Sequence, residues 1–200
     1  DYPSMAADVL ALLDRARVDT AGLVGHSMGG KVAMHLALKT PHRVSALAVV
    51  DMAPARYTHD FDNVLAAFRR VDLTTVSSRA DADAQMRAAI PGSAVRAFLL
   101  QNLERRDGRW GWRVNLAALA AAQAAITGFP DYPPGTQYAG PALFIHGELS
   151  DYVKPSHQVA IRRLFPQAAL QGIEGAGHWV YADQAAAFLE ALEGFLGVAA

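Results

Sequence analysis

The residues with the clearest chemical meaning are Gly25-His26-Ser27-Met28-Gly29, followed at once by Gly30. An apolar run over 20–25 leads into them. A helical pattern over 28–39 leads out, until Pro41 stops it. In a G-x-S-x-G turn from strand to helix, the serine backbone is strained and its hydroxyl stands clear of the sheet edge. Side chains at positions 25 and 29 are expected to collide with the neighbouring strand and helix, so the turn calls for glycine at both. The Met28 N–H opens the helix and is aimed at a developing oxyanion. A hydroxyl placed this way attacks an acyl carbon once a base removes its proton.

Seven histidines are available as that base: His26, His35, His42, His59, His146, His157 and His178. His178 fits best, because Gly175-Ala176-Gly177-His178-Trp179 is a glycine-rich loop between the last strand-like run and the last helical one. Such a loop can carry an imidazole across the strand ends. His35, His42 and His157 read as surface positions, and His146 as structural or pocket-lining. His26 lies inside the turn, lining the pocket or packing beside the serine. The partner acid has two main candidates. Asp51 ends the apolar run 46–50, and Asp151 follows Gly147-Glu148-Leu149-Ser150 after the next core strand. Both sit at carboxyl ends of strands, where such sites assemble. Glu148 is a weaker third, and residue type alone leaves the choice open. The acid's task is to accept from the second imidazole nitrogen and fix the tautomer.

Behind these residues the hydrophobic pattern gives a helix over 4–16 with Ser4 as its N-cap, and strands over 20–25, 44–50, 142–146 and 168–173. Further helices are expected over 28–39, 156–165 and 182–196. Alternation of this kind implies an α/β fold, a mostly parallel sheet with helices on both faces. Residues 57–138 change character: they are Ala-rich and helix-like, with Pro and Gly breaks. They read as a helical cap inserted between core segments 1–56 and 139–200.

Composition narrows the function further. The formal charge is −1 over 200 residues, without the clustered basic surface that a nucleic-acid partner requires. There is no cysteine, which excludes disulfides, thiolate metal sites and a Cys nucleophile. No apolar run approaches the ~18 residues of a membrane span. Asp1-Tyr2-Pro3-Ser4 shows neither a basic segment nor an apolar signal core. That N-terminus fits a cytoplasmic setting or a chain whose start is missing, and alanine at 40 positions with arginine outnumbering lysine 15 to 3 suggests a GC-rich bacterial source.

Six pieces together resemble the α/β-hydrolase superfamily, most closely its small bacterial YbfF-type esterases and their mitochondrial abhydrolase relatives. They are Gly25-His-Ser-Met-Gly-Gly-Lys31, Asp51-Met-Ala-Pro54, Phe98-Leu-Leu-Gln-Asn-Leu103, Trp112-Arg-Val-Asn115, Ser150-Asp-Tyr-Val153 and Gly175-Ala-Gly-His-Trp-Val180. The resemblance implies an α/β-hydrolase fold with a helical cap closing over Ser27. It assigns Ser27 as nucleophile, His178 as general base and acid, and Asp51 as the acid, with Asp151 as the alternative. In other branches of the superfamily the acid stands three residues after the strand-end glycine, a place taken here by Ser150. Relatives carry a further N-terminal portion with the first strands and a second oxyanion donor, so the resemblance implies an N-terminally truncated fold. The expected substrate is a small-molecule carboxylic ester or thioester, with His26, Trp179, Phe98 and Trp112 lining the pocket. No metal or organic cofactor is expected. Serine at position 27 argues against the haloalkane dehalogenases and epoxide hydrolases of this fold, which carry aspartate there. Carbon–carbon bond hydrolases and cofactor-free haloperoxidases keep the serine. A non-catalytic ligand-binding or signalling protein, or an inactive fragment, on the same scaffold is the alternative from another class.

Overall fold

A computed structural model describes residues 1–57 and 61–199; His59 lies outside them. In chain order the elements are α1 (Tyr2–Arg15), β1 (Ala21–His26), α2 (Met28–Lys39), β2 (Val44–Val50), α3 (Phe61–Arg70), α4 (Arg79–Met86), α5 (Ser93–Leu100), β3 (Leu103–Arg106), β4 (Arg109–Trp112), α6 (Leu116–Ala121), α7 (Gln123–Thr127), β5 (Ala142–Gly147), α8 (Gln158–Leu164), β6 (Ala168–Ile173), α9 (Val180–Asp183) and α10 (Ala185–Ala199).

The chain divides into two compact units: Asp1–Arg56 with Gly128–Ala200, and Tyr57–Thr127. The first holds a four-stranded sheet in the order β1-β2-β5-β6, with every pairing parallel. The sequence of β2 shows why it lies inside. Val-Ser-Ala-Leu-Ala-Val-Val is almost continuously apolar, as a strand covered on both faces must be, and six of its seven residues are buried. The register pairs His26 with Val50, Val50 with Ile145, and Gly147 with Ile173. The strands therefore finish at nearly one level, and the residues just beyond them are brought together.

Several details depart from the pattern-based expectation. The cap of α1 is Asp1, whose carboxylate accepts from the Ser4 N–H at 2.9 Å, so the helix starts at Tyr2 and Ser4 lies within it. Pro3 sits in its first turn, where a missing N–H costs nothing. The second departure is the inner boundary. Residues 128–138 run with the sheet unit rather than with the insertion. Lys31 Nζ donates to Gly128 O at 2.6 Å, and Tyr138 Oη donates to Val44 O at 3.1 Å. His35 Nδ1 meets Tyr132 Oη at 2.5 Å. These long-range polar contacts bind a segment that has no regular structure of its own.

The Tyr57–Thr127 unit has its own core: Phe68, Val71, Met86, Leu99, Leu100 and Leu103, with Trp110 and Trp112 packed against it. It is not purely helical. β3 and β4 form an antiparallel hairpin turned by Asp107 at φ 50° and Gly108 at φ 78°. That left-handed pair is the Asp-Gly signature of a tight hairpin.

Candidate active site

Ser27 follows directly on β1. Its N–H extends the sheet ladder to Val50 O at 3.0 Å, while its own backbone turns to φ 54°, ψ −124°. This left-handed φ is costly for any residue with a Cβ. The neighbouring glycines explain how the turn closes. A Cβ on Gly25 would lie 2.4 Å from Gly29 O, and one on Gly30 would lie 3.0 Å from both Gly25 O and a Val49 methyl. Position 29 differs from expectation: among the described residues, a Cβ there meets nothing within 4 Å. The packed pair is Gly25 with Gly30, because helix α2 crosses β1 through position 30. Met28 is the first residue of α2, so its N–H belongs to the helix-end donors that have no partner inside the helix.

His178 Nε2 stands 3.0 Å from Ser27 Oγ, and His178 Nδ1 stands 2.7 Å from Asp51 Oδ2. A carboxylate can only accept, so Nδ1 carries the proton and Nε2 presents its lone pair to the serine. Asp51 is fully buried and has φ 49°. Its other donors are Gly147 N–H, to Oδ1 at 3.3 Å, and Ser150 Oγ, to Oδ2 at 2.5 Å. The alternative acid is elsewhere. The Asp151 side chain is 86% exposed and pairs with Lys154 Nζ at 3.2 Å. Glu148 is also exposed.

The loop of His178 is held from several sides. A Cβ on Gly147 would lie 2.3 Å from the carbonyls of both Ala176 and Gly177, so only glycine lets the loop backbone lie against β5. Gly177 N–H donates to Asp183 Oδ2 at 2.8 Å. His26 Nε2 donates to His178 O at 2.8 Å, with ring centroids 4.6 Å apart. Burial, the largest influence on His26, pushes its pKa below the ordinary imidazole value. Tyr152 lies nearly flat on His178, with centroids 3.9 Å apart and planes 17° apart. Burial and then the Asp51 charge raise the pKa of its phenol, which stays neutral. Trp179 follows His178, its ring centred 6.3 Å away. Phe98 and Trp112 belong to the Tyr57–Thr127 unit. Phe98 is half exposed on α5, and Trp112 packs edge-on to Phe68 at 4.7 Å within that unit's core. Among the described residues, no group of three or more His, Asp or Glu side chains is arranged to hold a metal ion. None of the described helices is long and apolar enough to cross a membrane.

The family model for the alpha/beta hydrolase fold matches residues 1–185. The chain belongs to the α/β-hydrolase family. Similar α/β-hydrolases include the sn-1-specific diacylglycerol lipase ABHD11 of Mus musculus, 41% identical over 98% of this chain and 65% of that protein. Esterase YbfF of Escherichia coli is 36% identical over 98% of this chain and 75% of that protein. A solved marine microorganism esterase superposes with a TM-score of 0.92 at 32% identity, covering 97% of this chain and 77% of that one. The chain thus spans just under two thirds of the length of the mouse relative.

Within this α/β-hydrolase, two residues beside His178 and Asp51 were not assigned roles from the sequence. Ser150 stands where other branches place their acid, and its hydroxyl donates to the acid at position 51 instead. Tyr152 belongs to the matching piece Ser150-Asp-Tyr-Val153, which the resemblance had linked to an acid alone. A tyrosine two residues beyond that serine was the available signal.

Proposed function

We propose that this α/β-hydrolase cleaves small carboxylic esters through an acyl-enzyme on Ser27. The observation that carries the reading is the unbroken contact chain Ser27 Oγ, His178 Nε2, His178 Nδ1, Asp51 Oδ2. Relatives named esterase and lipase at 36% and 41% identity support it.

Ser27 Oγ attacks the acyl carbon as His178 Nε2 takes its proton. The carbonyl electrons move onto oxygen, and the Met28 N–H donates to that oxyanion. Asp51, ionised and desolvated, stabilises the imidazolium and keeps the tautomer. The tetrahedral intermediate collapses, the carbon–oxygen bond to the alcohol breaks, and His178 returns the proton to the leaving alkoxide. Water then repeats the sequence on the acyl-enzyme and releases the acid. Thioesters fit the same steps with a thiolate leaving group. His26 and Trp179 flank the base on the substrate side in this proposal.

A fluorophosphonate probe tests the reading. The expected result is one stoichiometric adduct, mapped by mass spectrometry to Ser27. Ser27→Ala is expected to remove the adduct and to lower kcat for a short-chain p-nitrophenyl ester by on the order of 10⁶. A cooperatively folded protein that takes no adduct would favour a ligand-binding role on the same scaffold.

A further inference from the structure

The loop bearing His178 contains Gly175, at φ 71°, and Gly177, so its own backbone gives it little stiffness. Leu149 N–H holds Ala176 O at 2.9 Å, and Asp183 holds the Gly177 N–H. Those contacts fix the backbone before His178 and do not touch its ring. The Asp51 contact fixes one ring atom, about which the imidazole could still tilt. Yet Nε2 must face Ser27 Oγ for the first proton transfer and a leaving-group oxygen for the second. Something else must hold the plane of the ring.

We propose that His26 and Tyr152 are positioning residues that together clamp His178 for both proton transfers. The proposal rests on the hydrolase reading above and deepens it. Tyr152 sets the ring plane: its phenol lies flat on the imidazole, at 17° and 3.9 Å. His26 sets the backbone of His178 itself. Because a carbonyl only accepts, the His26 proton is on Nε2, and that N–H holds His178 O. His26 is in turn braced edge-on by Tyr181 of α9 at 5.2 Å.

Both clamp members are tied to the reacting groups through the chain. His26 is covalently next to Ser27, so nucleophile and base share one anchor. Tyr152 N–H donates to Ser150 Oγ at 3.2 Å, and Ser150 donates to Asp51, so acid and ring plane share another. The clamp also suits the charge that develops. When His178 becomes an imidazolium, it lies on an aromatic face, which attracts a cation. The other neighbour, His26, is kept neutral by burial and adds no like charge.

The test uses Tyr152→Leu, Tyr152→Phe, His26→Phe and His26→Gln. Each is assayed for thermal midpoint, rate of fluorophosphonate labelling at Ser27, kcat and KM. Tyr152→Leu is expected to slow labelling and kcat by roughly 30-fold, the size of a desolvated cation–π contact. Its KM is expected to stay within about threefold, which a general loss of structure would not produce. Tyr152→Phe, which keeps the ring, is expected to remain within about threefold of the parent. His26→Phe is expected to lose roughly tenfold, the scale of one hydrogen bond. His26→Gln, which keeps an N–H donor, is expected to recover most of that loss. The clamp is overturned if Tyr152→Leu labels as fast as the parent, or if Tyr152→Phe is as slow as Tyr152→Leu. Should Tyr152→Leu fail to fold, the two His26 variants decide: equal rates for Phe and Gln overturn the proposal. If the parent itself takes no adduct on Ser27, the hydrolase reading falls, and the clamp falls with it. A parent that labels beside unaffected variants sinks the clamp alone.

Discussion

The carboxyl ends of β2 and β5 each present an aspartate, and the two have opposite fates. Asp51 has no exposed surface and accepts from Gly147 N–H, Ser150 Oγ and His178 Nδ1. The Asp151 side chain is 86% in solvent with one lysine beside it. Residue type is the same, but Asp51 follows β2 directly while Asp151 stands four residues beyond β5, and the surroundings differ accordingly. A buried carboxylate is tolerated only where donors replace its water. Those donors fix its position, and a fixed carboxylate can in turn fix a histidine. At the end of β5 the inward-facing place belongs to Ser150, which supplies a donor to the other strand's acid. One strand end carries the charge and the other helps to solvate it.

Four substitutions in three experiments probe that contrast, the experiments taken in falling order of effect. Asp51→Asn is expected to lower kcat by on the order of 10⁴ through loss of the tautomer, while Asp151→Asn stays within about twofold. Steady-state kinetics on one ester substrate checks both, and the reverse ranking would break the comparison. A second buried charge sharpens it. Lys31 is 1% exposed, and burial, with the Arg56 charge adding, pushes its pKa down to about 8. Between that value and its ordinary one, the unfolded chain binds the proton and the folded one does not. Stability therefore rises with pH there. From pH 8 to 9, where most tyrosines of the unfolded chain are still protonated, the Lys31 contribution is expected to grow by at most about 1.4 kcal/mol. Denaturant titrations of the parent and Lys31→Met read the slope, which the variant is expected to flatten. A slope left unchanged would mean that this cation is as well accommodated as Asp51. The smallest effect concerns the donor at the end of β5. Ser150→Ala is expected to lower kcat about tenfold with KM unchanged, the scale of one hydrogen bond to a charged group. A loss near that of Asp51→Asn would make Ser150 more than a donor to the acid.

Much of the positioning framework could be read from the sequence because it rests on local patterns. The run Val44–Val50 can only be a strand buried on both faces. Gly25, Ser27 and the following helix state the turn outright, and the element order follows. What could not be read depends on distant partners. Asp51 and Asp151 differ through Gly147, Ser150 and His178, all remote from position 51 in the chain. Ser150 looks like any loop serine until β5 places it beside β2. Residues 128–138 lack periodicity, and their attachment to Lys31, His35 and Val44 becomes visible only after folding. The hairpin at 103–112 is another matter: Asp107-Gly108 is its local signal, and the helical reading of the Ala-rich region passes over it. At the N-terminus, Asp1 and Ser4 are both capping types, and Pro3 was the local clue that favoured the earlier one.

The open side of Gly29 has a consequence for sequence searching. A pattern that insists on glycine at the fifth position of Gly25-His26-Ser27-Met28-Gly29 demands something the described residues do not use, since a methyl group there meets none of them within 4 Å. A pattern that allowed alanine at that place and required glycine at the next would describe the steric constraint more faithfully. It would retrieve chains with the same turn that the familiar string passes over, and reject glycine-rich loops that match the string without a helix crossing the strand.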